Sequence, residues 1–415
     1  MENRYDRYKD SGIAWIGKIP EHWEITLFKR KITINNGKDY KNFSDAEIYP
    51  VIGSGGCFAY CSNYMYDGEA LLLGRKGTID KPLYVKGKFW AVDTMFYAIP
   101  HKDLHCKFSY YLALTFPFNL YSTSTSLPSL TQTDLGNIPV AFPSISEQQA
   151  IADYLDRRCS EIDELIALQE EMITKLQSYK QSVITEAVTR GLDKNVPLKD
   201  SGIDWIGKVP EHWKVKRLKF SCNIFGRIGF RGYKSDDLVS EGEGAITLSP
   251  SNMKDMKMDY TNRTYLSWKK YYESPEIIIS NNDILMVKTG STYGKCSFVE
   301  NIPMECTINP QIVVLKRHKD YSKFLAYSFQ TQATRAFIET SVVGGTIPTI
   351  AQEKIMNYVF VFPPLAEQQA IADYLDQRCS EIDELIALKQ QKIEKLKEYK
   401  KSLIFECVTG KRKVS

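Results

Sequence analysis

The chain has 415 residues, 43% of them apolar and 25% charged, so it is long enough for two globular domains with separate cores. No apolar run approaches the roughly 18 residues of a membrane span, and the start, MENRYDRYKD, lacks a signal-peptide core. Nine irregularly spaced cysteines favour reduced thiols and a cytoplasmic protein, and the net charge of +4 permits nucleic-acid binding without requiring it.

Two sequence blocks each occur twice, in the same order. The first, residues 11–23 (SGIAWIGKIPEHW), returns at residues 201–213, 190 positions later. The second, residues 147–168 (EQQAIADYLDRRCSEIDELIAL), returns at residues 367–388, 220 positions later, with a single change. The unequal offsets show that the segments between the blocks differ in length by 30 residues. We interpret the blocks as one mechanical frame used twice.

The two inserts, residues 24–146 and 214–366, predict mixed domains rich in short strands and loops. Apolar runs such as ALLL (70–73) and ILMV (284–287) are separated by Gly, Asn and Asp, which is typical of strands between turns. Each of these two runs precedes a Gly-rich loop with Lys, Arg, Ser or Thr. Later in each insert, Ser126-Leu-Pro-Ser-Leu-Thr matches Thr346-Ile-Pro-Thr-Ile-Ala. Because the frames are alike and the inserts are not, we expect each insert to recognise a different target.

The Gly-rich loops supply the candidate DNA contacts. Backbone N–H groups and flexible cations after a strand can reach phosphates or base edges. The residues selected on this basis are Arg75, Lys76 and Lys81 in the first insert, and Lys288, Thr289, Ser291 and Lys295 in the second. The charge distribution agrees, because residues 146–191 carry nine acidic and five basic side chains, which leaves the excess of positive charge outside this segment. The alternative is that both loops are solvated turns.

The second block and the residues after it predict a long helix in each copy. Gly and Pro are absent from 146–189 and from 365–409, and apolar residues recur at threes and fours. The predicted helix-pairing residues are Ile162, Leu165, Ile166, Ile173, Leu176, Val183, Ile382, Leu385, Ile386, Ile393, Leu396 and Leu403. Gly191 and Gly410 occupy the C-cap positions. Ser160 and Ser380 resemble N-caps, so EQQAIADYLD is either a separate helix or the first turns of a longer one.

The long helices are expected to pack against each other, antiparallel, with the inserts at opposite ends related by a pseudo-twofold axis. The alternative is that the apolar face of each long helix packs only against its own domain. Because the order of blocks is cyclic, the chain ends should be neighbours.

Other candidate sites are weaker. Cys57 and Cys61 with His101 and His105 have ligand spacings that zinc accepts, but the second insert has no counterpart, so we expect no metal site. The segment 290–296 (GSTYGKC) falls one residue short of a P-loop and ends in Cys, which argues against nucleotide binding. The repeated-frame tryptophans, Trp15, Trp23, Trp205 and Trp213, are expected in the core or at partner contacts rather than stacked on bases.

The sequence resembles the specificity subunits of type I restriction–modification systems. The resemblance rests on SGIxWIGxxPxHW before each insert, and on PSISEQQAIADYLD and PPLAEQQAIADYLD after the first and second insert, and covers nearly the whole chain. It implies an α+β fold, with two target recognition domains separated by a pair of long antiparallel helices that form a coiled coil. We expect domain 1 at residues 1–145, the central helix at 146–191, domain 2 at 192–365 and the C-terminal helix at 366–415.

The resemblance also implies a non-catalytic, DNA-binding subunit of a restriction endonuclease and adenine-N6 methyltransferase complex. Each recognition domain would read one half of a bipartite, asymmetric site on double-stranded DNA, while the helices space the domains and dock two modification subunits. Restriction subunits would join that core. S-adenosylmethionine, ATP and Mg²⁺ belong to those partners, and this chain is expected to bind no cofactor. Two alternatives remain at this point, a protein-interaction scaffold without nucleic acid, and a specificity subunit of a methylation-only system.

Overall fold

The computed structural model describes residues 4–43, 47–122, 127–204, 206–342 and 348–414. Trp205, Ser126 and Thr346, named above, lie outside the described residues. Contacts divide the chain into two compact units, the first being Met1–Glu170 with Lys389–Ser415 and the second Glu171–Leu388. Each unit therefore contains one insert and a part of both long helices.

The first unit is built on a six-stranded sheet. Its sheet has the strand order β4-β9-β7-β8-β5-β6, while β1 pairs with β2 and β3 with β10. The strands are β1 Tyr8–Asp10, β2 Lys18–Pro20, β3 Glu24–Leu27, β4 Ile32–Asn36, β5 Tyr49–Gly53, β6 Gly56–Cys61, β7 Tyr66–Gly74, β8 Leu83–Ala91, β9 Met95–Pro100 and β10 Pro139–Phe142. The helices are α1 Cys106–Ala113, α2 Phe118–Tyr121, α3 Gln132–Gly136 and α4 Ile145–Arg190.

The core of the first unit lies between the sheet, α1 and the long helices. Leu71 and Leu73 of the predicted ALLL strand are fully buried there together with Phe108 of α1. Trp23 of the repeated block is also fully buried, so it is a core residue, as the sequence predicts. Burial of such large apolar side chains is the main stabilising contribution of this core.

The second unit contains two four-stranded sheets, with the orders β14-β23-β20-β21 and β15-β19-β16-β22. Its strands are β11 Leu198–Asp200, β12 Lys208–Pro210, β13 Lys214–Arg217, β14 Asn223–Gly226, β15 Leu238–Val239, β16 Gly244–Leu248, β17 Met253–Lys254, β18 Lys257–Met258, β19 Tyr265–Ser267, β20 Ile284–Val287, β21 Cys296–Phe298, β22 Cys306–Ile308, β23 Ile312–Lys316 and β24 Val359–Phe362. Its helices are α5 Trp268–Tyr272, α6 Ser322–Phe329, α7 Gln332–Glu339, α8 Gln352–Met356 and α9 Leu365–Val408.

The two inserts share a parallel strand pair but differ in the number of sheets and in the length of two connections. In the first unit β5 pairs in parallel with β8, and in the second β16 pairs in parallel with β22. Strand β5 turns directly into β6, whereas residues 249–264 intervene between β16 and β19. Similarly, β6 and β7 are joined by residues 62–65, whereas β19 and β20 are joined by residues 268–283. Most of the extra length of the second insert lies in these two connections.

Each long helix is continuous, which answers the question that the sequence left open about EQQAIADYLD. Helix α4 runs from Ile145 to Arg190 and α9 from Leu365 to Val408. Of the two alternatives, EQQAIADYLD forms the first turns of a longer helix, and Ser160 and Ser380 are not N-caps. Both serines lie inside a helix, where their hydroxyls donate to a glutamate four residues later. No helix among the described residues is long and apolar enough to cross a membrane.

Helix segments pair in antiparallel fashion within each unit. In the first unit, Lys400 Nζ donates to Asp163 at 2.6 Å and Lys389 Nζ to Gln169 at 3.4 Å, so numbering falls along one helix as it rises along the other. In the second unit, Lys180 Nζ donates to the carboxylate of Asp383 at 2.7 Å. The two ion pairs are equivalent by the 220-residue repeat.

The packed positions of both helices alternate at spacings of four and three residues, which is the heptad pattern of a coiled coil. The buried or half-buried positions are Ile162, Ile166, Gln169, Ile173, Leu176, Lys180, Val183 and Ala187 in α4, and Ile382, Ile386, Lys389, Ile393, Leu396, Lys400, Leu403 and Cys407 in α9. Leu165 and Leu385, predicted as pairing residues, are instead 45% and 47% exposed. Each follows the first packed residue of its helix, Ile162 or Ile382, by three positions rather than four. Both leucines therefore lie beside the row of packed residues.

Candidate nucleic-acid interface

The two predicted Gly-rich loops begin with the same backbone hydrogen bonds in the two units. After β7, the amides of Arg75 and Lys76 both donate to the carbonyl of Thr94, at 2.8 and 3.3 Å. After β20, the amides of Lys288 and Thr289 both donate to the carbonyl of Gln311, at the same two distances. The loops are therefore equivalent, although their side chains differ.

A second segment of each insert holds these loops from the other side. Gly77 N–H donates to Pro128 O at 2.9 Å, and Gly290 N–H donates to Pro348 O at 3.0 Å. Both glycines have a positive φ, 81° and 109°, which other residues adopt only with strain. The two sequence landmarks of each insert, the Gly-rich loop and the Leu/Ile-Pro segment, thus form one structure.

A glutamine side chain completes the arrangement and was missed in the sequence. Gln132 Nε2 donates to Ile34 O of β4 at 3.0 Å, and Gln352 Nε2 donates to Ile224 O of β14 at 2.6 Å. These bonds attach the edge strand of each sheet to the short helix that follows the Pro segment. The 220-residue offset between the two glutamines is the only sequence signal that could have identified them.

In the first unit, four loops meet at one end of the sheet and are here named the first loop edge, residues 37–41, 53–56, 75–77 and 92–94. Lys38 N–H donates to Ala91 O at 2.9 Å, and Arg75 Nη1 lies 3.4 Å from Asp93 O, so neighbouring loops are bonded to each other. A Cβ on Gly37 would lie 2.0 Å from Val92 O, so only glycine fits this approach. Three of these loops, all except residues 75–77, border an open cleft of about 550 Å³.

The first loop edge carries more positive than negative charge. Lys38, Lys41, Arg75 and Lys76 lie on it, against the carboxylates of Asp39 and Asp93. Among the residues that the structure describes, Lys38, Arg75 and Lys76 form no ion pair with a carboxylate. Cations that are not already neutralised are available to DNA phosphates.

The equivalent second loop edge consists of residues 227–234, 249–252, 288–291 and 309–311. Asn309 N–H donates to Leu248 O at 2.9 Å, and Lys288 N–H donates to Gln311 O at 2.8 Å. Arg227 holds its loop against β22, with Nε donating to Ile308 O at 3.2 Å.

Two cations of the second edge are partly withdrawn from water. Burial lowers the pKa of the Lys288 ammonium group, and among the described residues no carboxylate opposes this effect. Burial also lowers the pKa of Arg227, while the nearby Tyr233 and Glu276 act in the opposite direction. Arg227 is only 5% exposed and its ring neighbour is Tyr233, at 5.2 Å. Arg227 is therefore suited to fixing the loop, and Lys288 to meeting a charge that arrives from outside.

The seven predicted DNA contacts do not all lie on these edges. Arg75 and Lys76 belong to the first edge, and Lys288, Thr289 and Ser291 to the second. Lys81 instead follows Asp80, which lines a different cleft with residues of α9, and Lys295 immediately precedes β21. The cations that sequence reasoning missed are Lys38, Lys41, Arg227, Arg231 and Lys234. They follow β4 and β14, and the sequence after these two strands contains no recognisable motif.

The rejected zinc candidates have other roles in the structure. The His105 ring is the N-cap of α1 and accepts from Phe108 N–H, and the His101 ring lies 3.1 Å from Arg30 O. Cys57 is exposed on β6, whereas Cys61 is buried.

Two units of one design, with basic loops at the same end of each sheet and a repeated helical frame, define a class of paired DNA-recognition domains. The chain belongs to the type I restriction–modification DNA specificity family, whose family model matches residues 21–177 and 210–398. It is therefore a DNA sequence-recognition subunit.

Individual relatives agree. The MjaVIII specificity subunit of Methanocaldococcus jannaschii is 22% identical, over 96% of this chain and 94% of that protein. The EcoDI specificity subunit of Escherichia coli is 24% identical, over 87% and 82%.

Solved structures show the same fold. A chain from work on complex assembly and conformational transition of the type I R-M system has a TM-score of 0.74 at 17% identity, covering 94% of this chain and 98% of that one. The HsdS subunit from Thermoanaerobacter tengcongensis has a TM-score of 0.53 at 17% identity, with the same coverage.

Proposed function

We propose that each unit reads one half of a bipartite, asymmetric site on double-stranded DNA, through its own loop edge. The observation that supports this most strongly is the equivalent set of backbone hydrogen bonds in the loops at Arg75 and Lys288, combined with their different side chains. A common backbone presents both loops in one way, and different side chains select different bases.

The repeated frame holds the DNA-reading inserts in place and does not itself recognise bases. Trp23 Nε1 donates to Glu147 at 3.2 Å, and Trp213 Nε1 donates to Glu367 at 3.1 Å. Each bond ties the first block to the first turn of a long helix, and so ties the insert between them to the frame. We propose that the paired helices set the spacing of the half-sites and dock two modification subunits.

The chemistry is assigned to partner subunits. In this proposal the modification subunits transfer a methyl group from S-adenosylmethionine to an adenine N6, and restriction subunits, where present, use ATP and Mg²⁺. The chain itself contributes recognition, spacing and assembly.

The test is methylation-sensitive sequencing of the host genome with and without this gene. The proposal predicts that deletion removes methylation from one bipartite motif, with two specified parts separated by unspecified bases. Unchanged methylation would contradict it and favour a protein-interaction scaffold. A gel shift on duplex DNA, with and without the modification subunit, then checks that recognition requires this chain.

A further inference from the structure

We propose that Phe58 of the first unit contacts the 5-methyl group of a thymine and thereby determines one position of the first half-site. The inference rests on the proposed reading function and deepens it. Phe58 lies on β6, the edge strand of the six-stranded sheet, and its ring is 61% exposed. Exposure of so large an apolar ring is unfavourable in water, and the ring borders the cleft of the first loop edge.

The ring is held in place before any ligand arrives. Tyr40 meets it edge to face, with the ring centroids 5.9 Å apart. The ring also lies against Gly53, where an added Cβ would be 3.2 Å from Phe58 Cε1. A ring fixed by two neighbours loses little entropy on binding, which suits a recognition contact.

The surroundings indicate that DNA is the occupant. Lys41 and the Gly53–Gly56 turn line the same cleft as Phe58, and the cations Arg75 and Lys76 belong to the adjoining loop of this edge. The apolar ring is thus continuous with a positively charged surface, as expected next to a polyanion.

The shape of the element favours the major groove. Strands β5 and β6 form a hairpin closed by two residues between Gly53 and Gly56. The major groove admits a two-stranded ribbon, and the apolar feature that it presents is the thymine methyl group. A phenylalanine cannot exchange hydrogen bonds with a base edge, so the methyl group is the contact that its chemistry can recognise.

The part of the second unit that the structure describes offers no equivalent hairpin. Strand β16 is followed by Ser249, Pro250 and Ser251 and then by a longer excursion, instead of a tight glycine turn and an aromatic edge strand. We therefore assign the methyl contact to the first half-site alone.

The experiment uses the assembled methyltransferase and duplexes carrying its bipartite site. Each thymine of the site, on either strand, is replaced in turn by 2′-deoxyuridine, which removes only the 5-methyl group. For the wild-type complex, one such replacement in the first half-site should weaken binding about four-fold, the effect of one buried methyl group. The Phe58→Ala complex should bind the thymine and uridine duplexes equally.

Tyr60→Ala is the matched control. Tyr60 lies on the same strand and is 50% exposed, but it is two residues, about 7 Å, farther from the turn. Its removal should preserve the thymine preference. Folding of the Phe58→Ala chain is checked independently by its preference for the second half-site, which should remain that of the wild type.

Three results would overturn the inference. They are a first half-site without thymine, a wild-type complex indifferent to every uridine replacement in that half-site, and a Phe58→Ala complex that retains the four-fold difference. All three presuppose sequence-specific binding. A wild-type complex with no preference for any sequence would instead contradict the proposed function, so the two failures are distinguishable.

Discussion

Gln148, in the repeated EQQ sequence, should be one of the strongest single attachments between an insert and the frame. The side chain is 1% exposed, and its Nε2 donates to Asp103 O at 3.1 Å and to Pro143 O at 3.0 Å. Its Oε1 accepts from His105 N–H at 2.8 Å. One side chain thus links the first turn of α4 to the segment that leads into α1. Replacement by leucine keeps the approximate volume but removes all three hydrogen bonds.

The expected loss follows from that count. Each buried polar group left without a partner costs about 1–3 kcal/mol, and the added apolar contact of leucine offsets a part. We expect Gln148→Leu to lower the free energy of unfolding by about 2–4 kcal/mol. Gln149→Leu is the matched control, because Gln149 is exposed and, within the described parts of the chain, its side chain bonds only to Asp153, one turn along the helix. That change should stay within about 0.5 kcal/mol.

The measurement is urea unfolding of the full chain, comparing midpoints at equal slope. Gln368→Leu provides a near replicate in the second unit. Gln368 is also 1% exposed, its Oε1 accepts from Tyr321 N–H and its Nε2 donates to Pro363 O, but its other Nε2 bond goes to the carboxylate of Asp320 instead of a backbone carbonyl. Equal midpoints for Gln148→Leu and Gln149→Leu would refute the reasoning that the repeated glutamine attaches the insert.

Three further predictions concern DNA and the chain ends. Arg75→Ala should cost about 1–3 kcal/mol for the cognate site and relax one base, whereas Lys76→Ala should weaken binding to all duplexes alike and reduce the salt slope by about one; unchanged affinities at two salt concentrations would remove this loop from the interface. Because burial lowers the pKa of Lys288, its charged form destabilises the fold below that pKa, and this penalty is relieved as pH rises through it. Lys288→Met should therefore raise the unfolding midpoint at neutral pH while weakening DNA binding, and a lowered midpoint would contradict this. A permutant starting near Lys199, with the original ends linked, should support methylation, and one opened inside residues 162–188 should not; aggregation of the first would argue against adjacent ends.

The predicted adjacency of the ends has a physical basis in the first unit. A Cβ on Gly410 would lie 2.3 Å from Pro20 Cδ, and Lys411 Nζ donates to Lys18 O. Gly191 occupies the corresponding place in the second unit, 3.3 Å from the Trp213 ring by the same measure. Cyclic order of the repeats was sufficient to predict this contact, since the second junction is uninterrupted in the sequence.

The packed face of the long helices shows where prediction from the apolar pattern alone fails. Apolar residues alone suggested Leu165, because it follows Ile162 at a helical spacing. The next packed position after Ile162 is instead Ile166, and the one after that is Gln169, which is 5% exposed and whose partner in the first unit is Lys389. Polar residues inside the seam interrupt the apolar pattern, and only the strict alternation of four and three residues reveals them.

The sequence predicted only a part of each loop edge, for a related reason. Arg75 and Lys288 follow continuous apolar strands and glycines, which are strong local signals. Lys38 and Arg227 follow β4 and β14, and they join the same surface only through hydrogen bonds to residues more than 50 positions away. Phe58 is an ordinary strand residue in sequence terms, and only its place on the edge strand makes it exposed.

The central claim is that the two units share one structural frame and that the inserts recognise the DNA sequence. Its most direct test is to exchange residues 24–146 for the corresponding insert of a related specificity subunit and to map the methylated motif by sequencing. The account predicts that the first half-site changes to that of the donor while the second half-site stays the same. A change in both halves, or in neither, would contradict it.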